Sequence, residues 1–237
     1  MINVSLPGGE VVFSTRDGGV SEGPYSSLNL GILTDDDQAR VAENRARLAR
    51  AAGFSPDSVA MGWQVHGTDL LEWEGPPSGG GFASPGAELQ KVDGHATCAR
   101  GVALLVLVAD CLPVALVSRE RVAMLHCGWR GLAGGIVEKA LEAFGPDASV
   151  SAAIGPGIGP CHYEVGEEVL DAFADLDGVA SGRMLDLKAV AAAKLRAGGV
   201  DDVHDVDRCT YCEPDVFFSH RRDNGVTGRQ GGMVWRT

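Results

Sequence analysis

The chain has 237 residues, which is long enough to bury a sizeable core, and we expect one domain spanning residues 1–237. Its formal net charge of −12 argues against binding to nucleic acid or to an anionic membrane, because both depend on clustered Lys and Arg. The apolar runs all fall short of the ~18 residues that a membrane-spanning helix needs, and the N-terminal segment does not resemble an export signal. A cytoplasmic location is therefore expected, and we also expect a monomer.

Predicted strands and helices alternate along the chain. Apolar spacing predicts helices at Gln38–Ala52, Leu132–Phe144, Val165–Phe173 and Ala189–Ala197. Short apolar runs predict strands at Glu10–Ser14, Ser58–His66, Gly101–Ala109, Pro113–Val117, Arg121–His126, Val150–Ile154 and Met233–Trp235. The Pro-, Gly- and Ser-rich segment Glu74–Glu88 predicts a surface loop. This mixture is typical of an α/β or α+β fold.

Three residues with metal-binding side chains each end a predicted strand beside turn residues: His66, Cys111 and His126. Strand ends can converge at one edge of a sheet, the usual place for an α/β site. A His₂Cys set without a fourth protein ligand is typical of an open catalytic zinc site. It also resembles a copper site, but zinc fits the expected cytosolic setting better. Alternatively, Cys111 is a small core residue and the two histidines are merely hydrogen-bonded.

Six ordered segments resemble one known family: FSTRDGGVSEGPYSSLNLG, QVHG, ADCLPV, HCGWRG, IGPGIGPCHYEVG and CTYCEPDVFFSHRRDNGVTGR. They run from about Phe13 to Trp235 and are similar to the laccase-domain or polyphenol-oxidase-like family, also called peptidoglycan editing factor. The resemblance implies a four-layer α/β/β/α fold and a zinc ion held by His66, Cys111 and His126. It further implies a purine nucleoside phosphorylase that uses phosphate to cleave adenosine, inosine and 5′-methylthioadenosine, and that also deaminates adenosine.

A phosphorolytic enzyme must hold phosphate, and one helical arginine is a candidate for that role. At 100° per residue, Arg45 lies inside the apolar stripe formed by Val41, Leu48 and Ala52, with Asn44 at its edge. A guanidinium on a buried face needs a partner, which is either a structural carboxylate or the substrate anion. The family tends to carry an Asn-Arg pair here, which favours a substrate role for both residues.

Four other polar residues are candidates for contacts with phosphate or nucleoside. Arg16 and Arg130 lie in or beside glycine-rich turns, where backbone N–H groups can also face an anion. The alternative is that each arginine only stabilises its turn. Asn29 and Gln64 occur in otherwise apolar segments and could hydrogen-bond the ribose or the base.

Two carboxylates are candidates for proton transfer, and one cysteine pair is assigned a structural role. Asp110 and Glu164 could carry protons in a hydrolytic step, although Asp110 could instead orient a metal-bound histidine. The pair Cys209-x-x-Cys212 has no second pair at a suitable spacing, so we interpret it as structural.

Three other functions remain open. The first is a copper polyphenol oxidase, which the chain's six histidines make a poor fit, because that chemistry needs a multi-histidine centre. The second is a hydrolase that edits a peptidoglycan precursor, with Cys111 as nucleophile and His126 as base. The third is a metal-bearing interaction module without catalytic turnover.

Overall fold

A computed structural model describes residues 1–77, 81–84 and 89–237. The α-helices are α1 Gln38–Ala51, α2 Trp129–Gly134, α3 Ile136–Glu142, α4 Glu167–Asp171 and α5 Leu187–Ala197. The strands are β1 Ile2–Leu6, β2 Gly9–Phe13, β3 Val59–Ala60, β4 Leu70–Trp73, β5 Gly94–Thr97, β6 Ala103–Val108, β7 Leu112–Val117, β8 Val122–Cys127, β9 Ser151–Ile154, β10 Ala180–Ser181, β11 Met184–Leu185, β12 Asp202–Asp205 and β13 Gln230–Arg236. Part of the predicted loop Glu74–Glu88 lies outside the described residues.

The strands form two large mixed sheets and one short hairpin. The five-stranded sheet has the order β1-β2-β13-β6-β3, and the six-stranded sheet has the order β12-β9-β7-β8-β5-β4. Strands β10 and β11 form the hairpin. The mixed α/β class expected from the sequence is confirmed. None of the described helices is long and apolar enough to cross a membrane.

Three clusters of buried apolar residues hold these elements together. One lies between the two sheets and joins Phe13 and Leu104 of the five-stranded sheet to Met124 of the six-stranded sheet. A second packs α2, α3 and α5 against the six-stranded sheet, and a third packs Leu48 of α1 against Leu105 of the five-stranded sheet. Helices therefore cover the face of each sheet that points away from the other sheet.

Some predicted elements differ from the observed ones. The predicted strand Ser58–His66 is wrong beyond Ala60, because the chain continues as a loop, in which Trp63 forms an isolated bridge with Lys91 outside the named strands. The predicted helix Val165–Phe173 is limited to α4. Six strands were not predicted: β1, β4, β5, β12 and both strands of the hairpin, β10 and β11. The short strands β4 and β5 lack the long apolar run that marks a buried strand.

Among the described residues, Arg45 has neither of the partners that the sequence suggested. Its side chain is fully buried, and its Nε donates to the Leu30 carbonyl at 2.9 Å. Its Nη1 donates to the carbonyl oxygens of Gly81 and Phe82 at 2.7 and 3.3 Å. Burial lowers the pKa of Arg45 to about 10, so the guanidinium remains charged at neutral pH. In this position Arg45 ties α1 to two loops through bonds to backbone carbonyl groups.

Asn44 also plays a structural part. It is fully buried, and its amide donates to Ser21 Oγ and to the carbonyl oxygens of Ser27 and Asn29 at 2.8 to 3.1 Å. Its carbonyl oxygen accepts from the Val20 N–H at 2.8 Å. The Asn-Arg pair therefore anchors the loop that precedes α1. The side chain of Asn44 bonds to protein groups and not to a substrate, in contrast to the prediction.

We predict that Arg45→Met destabilises the protein without changing its use of phosphate. Methionine fills the buried space but leaves carbonyl groups without donors, which should lower the free energy of unfolding by about 3 kcal/mol or more. Arg50→Met is the matched control, because this helical arginine is 61% exposed and its loss should change stability by less than about 0.5 kcal/mol. Denaturant unfolding measures both variants. A normal stability for Arg45→Met with a raised phosphate KM would restore the substrate role.

Candidate metal and substrate site

The structure brings His66, Cys111 and His126 together. One possible ligand atom from each residue lies within 4.8 Å of those of the other two. Cys111 Sγ is 3.9 Å from His66 Nε2, and the two imidazole rings are 4.8 Å apart, with a 70° angle between their planes. These three side chains could therefore hold a single metal ion.

The sequence analysis predicted that each of the three residues ends a strand, but the structure shows a different arrangement. Only His126 lies in a strand, one residue before the end of β8. Cys111 lies in the turn between β6 and β7, where the chain passes from the five-stranded to the six-stranded sheet. His66 lies in the loop after β3, with a positive φ of 61°. The site therefore forms where the chain crosses between the two sheets.

Asp93, which the sequence analysis missed, organises this site from directly before β5. Its fully buried carboxylate accepts backbone N–H groups of Val65, His66 and Gly67 at 2.8 to 3.0 Å. It also pairs with Nδ1 of His126 at 2.7 Å. Burial raises the pKa of Asp93, but the bonds from His126 and the backbone outweigh burial and lower it. Asp93 thereby fixes the His66 loop and leaves Nε2 of His126 available to a metal.

The charged forms of Cys111 and His126 stabilise each other. Burial raises the pKa of Cys111, but the neighbouring His126 and hydrogen bonds from His126 and His66 lower it to about 6. Burial lowers the pKa of His126, whereas the Cys111 thiolate and the Asp93 carboxylate raise it to about 9. Without a metal, both shifts favour the thiolate form of Cys111 and the imidazolium form of His126. A thiolate is the form of cysteine that binds metals.

The space around these side chains also fits a bound ion. Gly128 follows β8, and a Cβ atom added there would lie 3.1 Å from both Cys111 Sγ and His66 Cδ2. One thiolate and two imidazoles are a donor set that zinc and copper both accept. The absence of a side chain at Gly128 thus leaves the ligands unobstructed.

A cavity of about 430 Å³ opens onto the three candidate ligands. This volume lies within the range of sites for small molecules, which is roughly 300–1,000 Å³. Its other walls combine aromatic and cationic side chains. They include Trp63, Tyr163, Arg130, His220, Arg221 and Arg229.

Apart from the candidate metal ligands, three of the predicted substrate and catalytic residues line this cavity. Gln64 does so, but its amide both donates to and accepts from the backbone of Leu107, at 2.7 Å in each direction. Asp110, with a φ of 91°, accepts from Thr210 Oγ1 at 2.6 Å and from the Arg221 N–H at 2.7 Å. The polar atoms of both residues are thus engaged by protein groups. Arg130 differs, since it is exposed and its guanidinium stacks on its neighbouring indole ring at 4.4 Å.

Arg16 and Glu164 are not among the residues that line this cavity. Arg16 donates to the carbonyl oxygens of Ser26 and Pro214 at 2.7 and 2.6 Å, so it stabilises turns, which was the alternative to anion binding. The exposed Glu164 pairs with Arg183 at 3.1 Å and is not placed for proton transfer in the cavity.

Asn29 supports the cavity from behind. Its amide donates to Thr34 Oγ1 and to Asp36, both at 2.9 Å. Its oxygen accepts from the N–H groups of Gly31 and Arg229, also at 2.9 Å. Gly31, Thr34 and Arg229 line the cavity, so Asn29 positions its wall and does not itself reach a substrate.

Two cavity arginines were missed although they lie in a segment that the sequence analysis singled out, SHRRDNGVTGR. The Arg221 guanidinium donates to the Glu164 carbonyl at 2.9 Å and lies over the ring of Tyr163. Arg229 donates to the carbonyl oxygens of Thr227 and Gly228 at 2.9 Å. The pairing of basic residues with glycine-rich turns, used for Arg130, would have found Arg229 as well.

Comparisons with known proteins identify a family and several relatives of this chain. Residues 10–237 match the model of a family described as multi-copper polyphenol oxidoreductase laccase. The chain is 40% identical to purine nucleoside phosphorylase YfiH of Escherichia coli over 233 residues, covering 94% of this chain and 91% of that protein. It is 37% identical to purine nucleoside phosphorylase YlmD of Geobacillus stearothermophilus, covering 94% and 88%. The crystal structure of that YlmD matches with a TM-score of 0.89 and 35% identity, covering 97% of this chain and 92% of that chain.

We predict that Asp93→Asn weakens both stability and metal binding. A carboxamide would direct an NH₂ group at backbone N–H donors, which should cost about 1.5–3 kcal/mol of stability. Loss of the carboxylate behind a metal-binding histidine should lower metal affinity by roughly 10- to 100-fold. The control is Asp69→Asn, because this carboxylate is 75% exposed and pairs only with Lys139 among the described residues. Thermal unfolding and competition with a chelator measure the two effects. Equal behaviour of the two variants would show that Asp93 does not organise the site.

Proposed function

The chain belongs to the multi-copper polyphenol oxidoreductase laccase family, and from that membership and the site we propose a zinc-dependent purine nucleoside phosphorylase. Its proposed substrates are adenosine, inosine and 5′-methylthioadenosine, and adenosine deamination is proposed as a second activity. One observation carries the proposal: a His₂Cys set opens into a cavity of about 430 Å³ that is also lined by three arginines. The relatives named purine nucleoside phosphorylases support it.

The proposed zinc ligands are His66, Cys111 and His126. Three protein ligands are the pattern of a catalytic zinc site, because they leave a coordination position open. When bound, zinc supplies a Lewis acid for the hydrolytic deamination of adenosine. Asp93 holds the His126 ring and the His66 loop in the required orientation.

Phosphate is proposed to bind to Arg130, Arg221 and Arg229. Guanidinium groups form short, charge-assisted and often bidentate bonds to phosphate oxygens. Arg130 has no side-chain or carbonyl partner among the described residues, so its donors are available to a ligand. Asn29 and Asp110 position two of these arginines. Asn29 accepts the backbone N–H of Arg229, and Asp110 accepts the backbone N–H of Arg221.

The nucleoside is proposed to lie against the aromatic part of the wall. Trp63 and Tyr163 line the cavity and offer flat apolar surfaces for a purine or ribose. Burial raises the pKa of Tyr163 to about 12, so its hydroxyl remains protonated and can donate a hydrogen bond. In phosphorolysis, a phosphate oxygen bonds to C1′ of the ribose while the glycosidic C–N bond breaks.

A second candidate is a hydrolase that uses Cys111 as its nucleophile. Cys111, His126 and Asp93 form a thiolate, imidazolium and carboxylate series, which is the arrangement of several cysteine hydrolases. This chemistry needs no metal. Chelation therefore separates the two candidates, because it should abolish zinc-dependent turnover and leave or increase the activity of a free thiolate.

We predict that His66→Ala and His126→Ala each lose bound zinc and activity together. His66→Ala should keep its stability, because His66 lies in a loop. His126→Ala should also lower stability, because it removes a donor from the buried Asp93 carboxylate. The assay is product identification with adenosine. Adenine and ribose 1-phosphate are expected only with phosphate, and inosine and ammonia are expected without it. The control is His204→Ala in the exposed strand β12. Phenol oxidation by copper-loaded protein, without either nucleoside reaction, would contradict the proposal.

We also predict that Arg130→Met raises the KM for phosphate. The loss of one charge-assisted contact, worth about 1.5–3 kcal/mol, corresponds to roughly a 10- to 100-fold change. Deamination measured without phosphate should change much less. The control is Arg196→Met, which removes an exposed arginine at the end of α5. If Arg130→Met lowers both reactions equally, the residue supports the site in another way.

A further inference from the structure

A second group of metal-binding side chains lies outside the cavity wall. The structure brings Cys161, His162, Cys209 and Cys212 together, so that one possible ligand atom from each lies within 4.8 Å of the others. The sequence left Cys209-x-x-Cys212 without a partner pair, because the expected spacing was absent along the chain. The partner is the adjacent pair Cys161-His162, about 50 residues earlier.

The distances within this group match a tetrahedral zinc site. Zn–S bonds of ~2.3 Å and Zn–N bonds of ~2.0–2.1 Å place tetrahedral ligands roughly 3.8 Å apart for two sulfurs and 3.5 Å for sulfur and nitrogen. Cys161 Sγ lies 3.4 Å from Cys212 Sγ and 3.9 Å from Cys209 Sγ. His162 Nδ1 lies 3.2 Å from Cys161 Sγ and 3.3 Å from Cys212 Sγ. The four atoms therefore already surround a space of the size of the ion.

The sulfur atoms are not paired as disulfides. All three cysteines are free, and their separations of 3.4 and 3.9 Å exceed the ~2.0 Å of an S–S bond by far. Three thiols and one imidazole at such short range are the donors of the Cys₃His sites that bind structural zinc.

Surrounding groups hold the four side chains in place. The backbone N–H group of Gly159 donates to Cys209 Sγ at 3.2 Å. Such a donor stabilises a thiolate in the way a metal site requires. The His162 ring stacks on Tyr211 at 3.9 Å, with 15° between the planes, which directs its Nδ1 at the sulfur atoms. The ligands are therefore oriented before an ion arrives.

We propose that Cys161, His162, Cys209 and Cys212 form a second metal site, a closed Cys₃His site for zinc. Four protein ligands fill the tetrahedron, so this ion has no open position for a substrate and its role is structural. The thiols that bind release their protons to solvent. This site does not depend on the nucleoside activity proposed above, since it shares no residue with the His₂Cys set.

The second site joins two segments that build the cavity wall. One segment follows β9 and carries Ile158 and Tyr163, and the other follows β12 and carries Thr210. The Ile158 N–H donates to the Asp110 carbonyl at 2.9 Å, and Thr210 Oγ1 donates to the Asp110 side chain at 2.6 Å. A zinc ion that clips these segments together therefore steadies the turn between β6 and β7, which carries Cys111.

The test is metal stoichiometry in the full chain purified from zinc-supplemented cells. We expect two zinc ions in the wild type and one in Cys212→Ser, with a lower Tm because binding energy at a structural site is folding energy. His66→Ala should also keep one ion, and the double variant should keep none. Cys98→Ser is the control, because this exposed free cysteine lies outside both groups and its loss should leave two ions.

Cobalt titration of the wild type provides a readout that does not depend on how the variants fold. Two equivalents should bind, and the Cys₃His site should show stronger thiolate-to-cobalt charge-transfer absorption than the His₂Cys site, because it has three sulfur ligands. A single metal per chain that is lost in His66→Ala and kept in Cys212→Ser would overturn the proposal. So would wild-type metal content in Cys161→Ser, Cys209→Ser and Cys212→Ser, or a disulfide among these cysteines in mass spectrometry of the native protein.

Discussion

The candidate site depends on one buried carboxylate. Asp93 is fully buried, and a charge in that position is stable only if its oxygens are well supplied with donors. The donors are three successive backbone N–H groups of the His66 loop and Nδ1 of His126. The same bonds that stabilise the charge therefore force His66 into its positive φ and direct His126 at Cys111. Fold stability and site geometry therefore both depend on the hydrogen bonds that Asp93 accepts.

The crossing between the two sheets explains where the site lies. The chain leaves β6 in the five-stranded sheet and enters β7 in the six-stranded sheet within a few residues, and Cys111 lies in that turn. The left-handed conformation of Asp110, with a φ of 91°, makes the sharp turn possible, and Thr210 and the Arg221 N–H hold its side chain. The C-terminal segment that supplies these donors also supplies two cavity arginines. Consequently, the turn and the proposed phosphate site are built by the same contacts.

The two metal groups differ in the way that distinguishes reactive from structural sites. The His₂Cys group has three protein ligands and faces a cavity, whereas the Cys₃His group has four and lies at the surface beside two loops. The description of the matched family names a multi-copper oxidase, while the relatives are named purine nucleoside phosphorylases. The thiolate-rich second group favours zinc and does not supply the clustered imidazoles of a multi-copper centre.

The sequence alone determined the mixed α/β class and the grouping of His66, Cys111 and His126, because strand and helix periodicities are local and each ligand stands beside a turn. It also placed Arg45 on the buried face of α1. Only the tertiary structure decided which groups meet those residues. Asp93 contacts a loop 26 to 28 residues away, Arg45 contacts carbonyl groups up to 37 residues away, and Cys161 and Cys209 are 48 residues apart. Contacts between distant segments leave no periodic pattern in the chain, so the partners of a buried charge or a thiol emerge only when the sheets and loops are assembled.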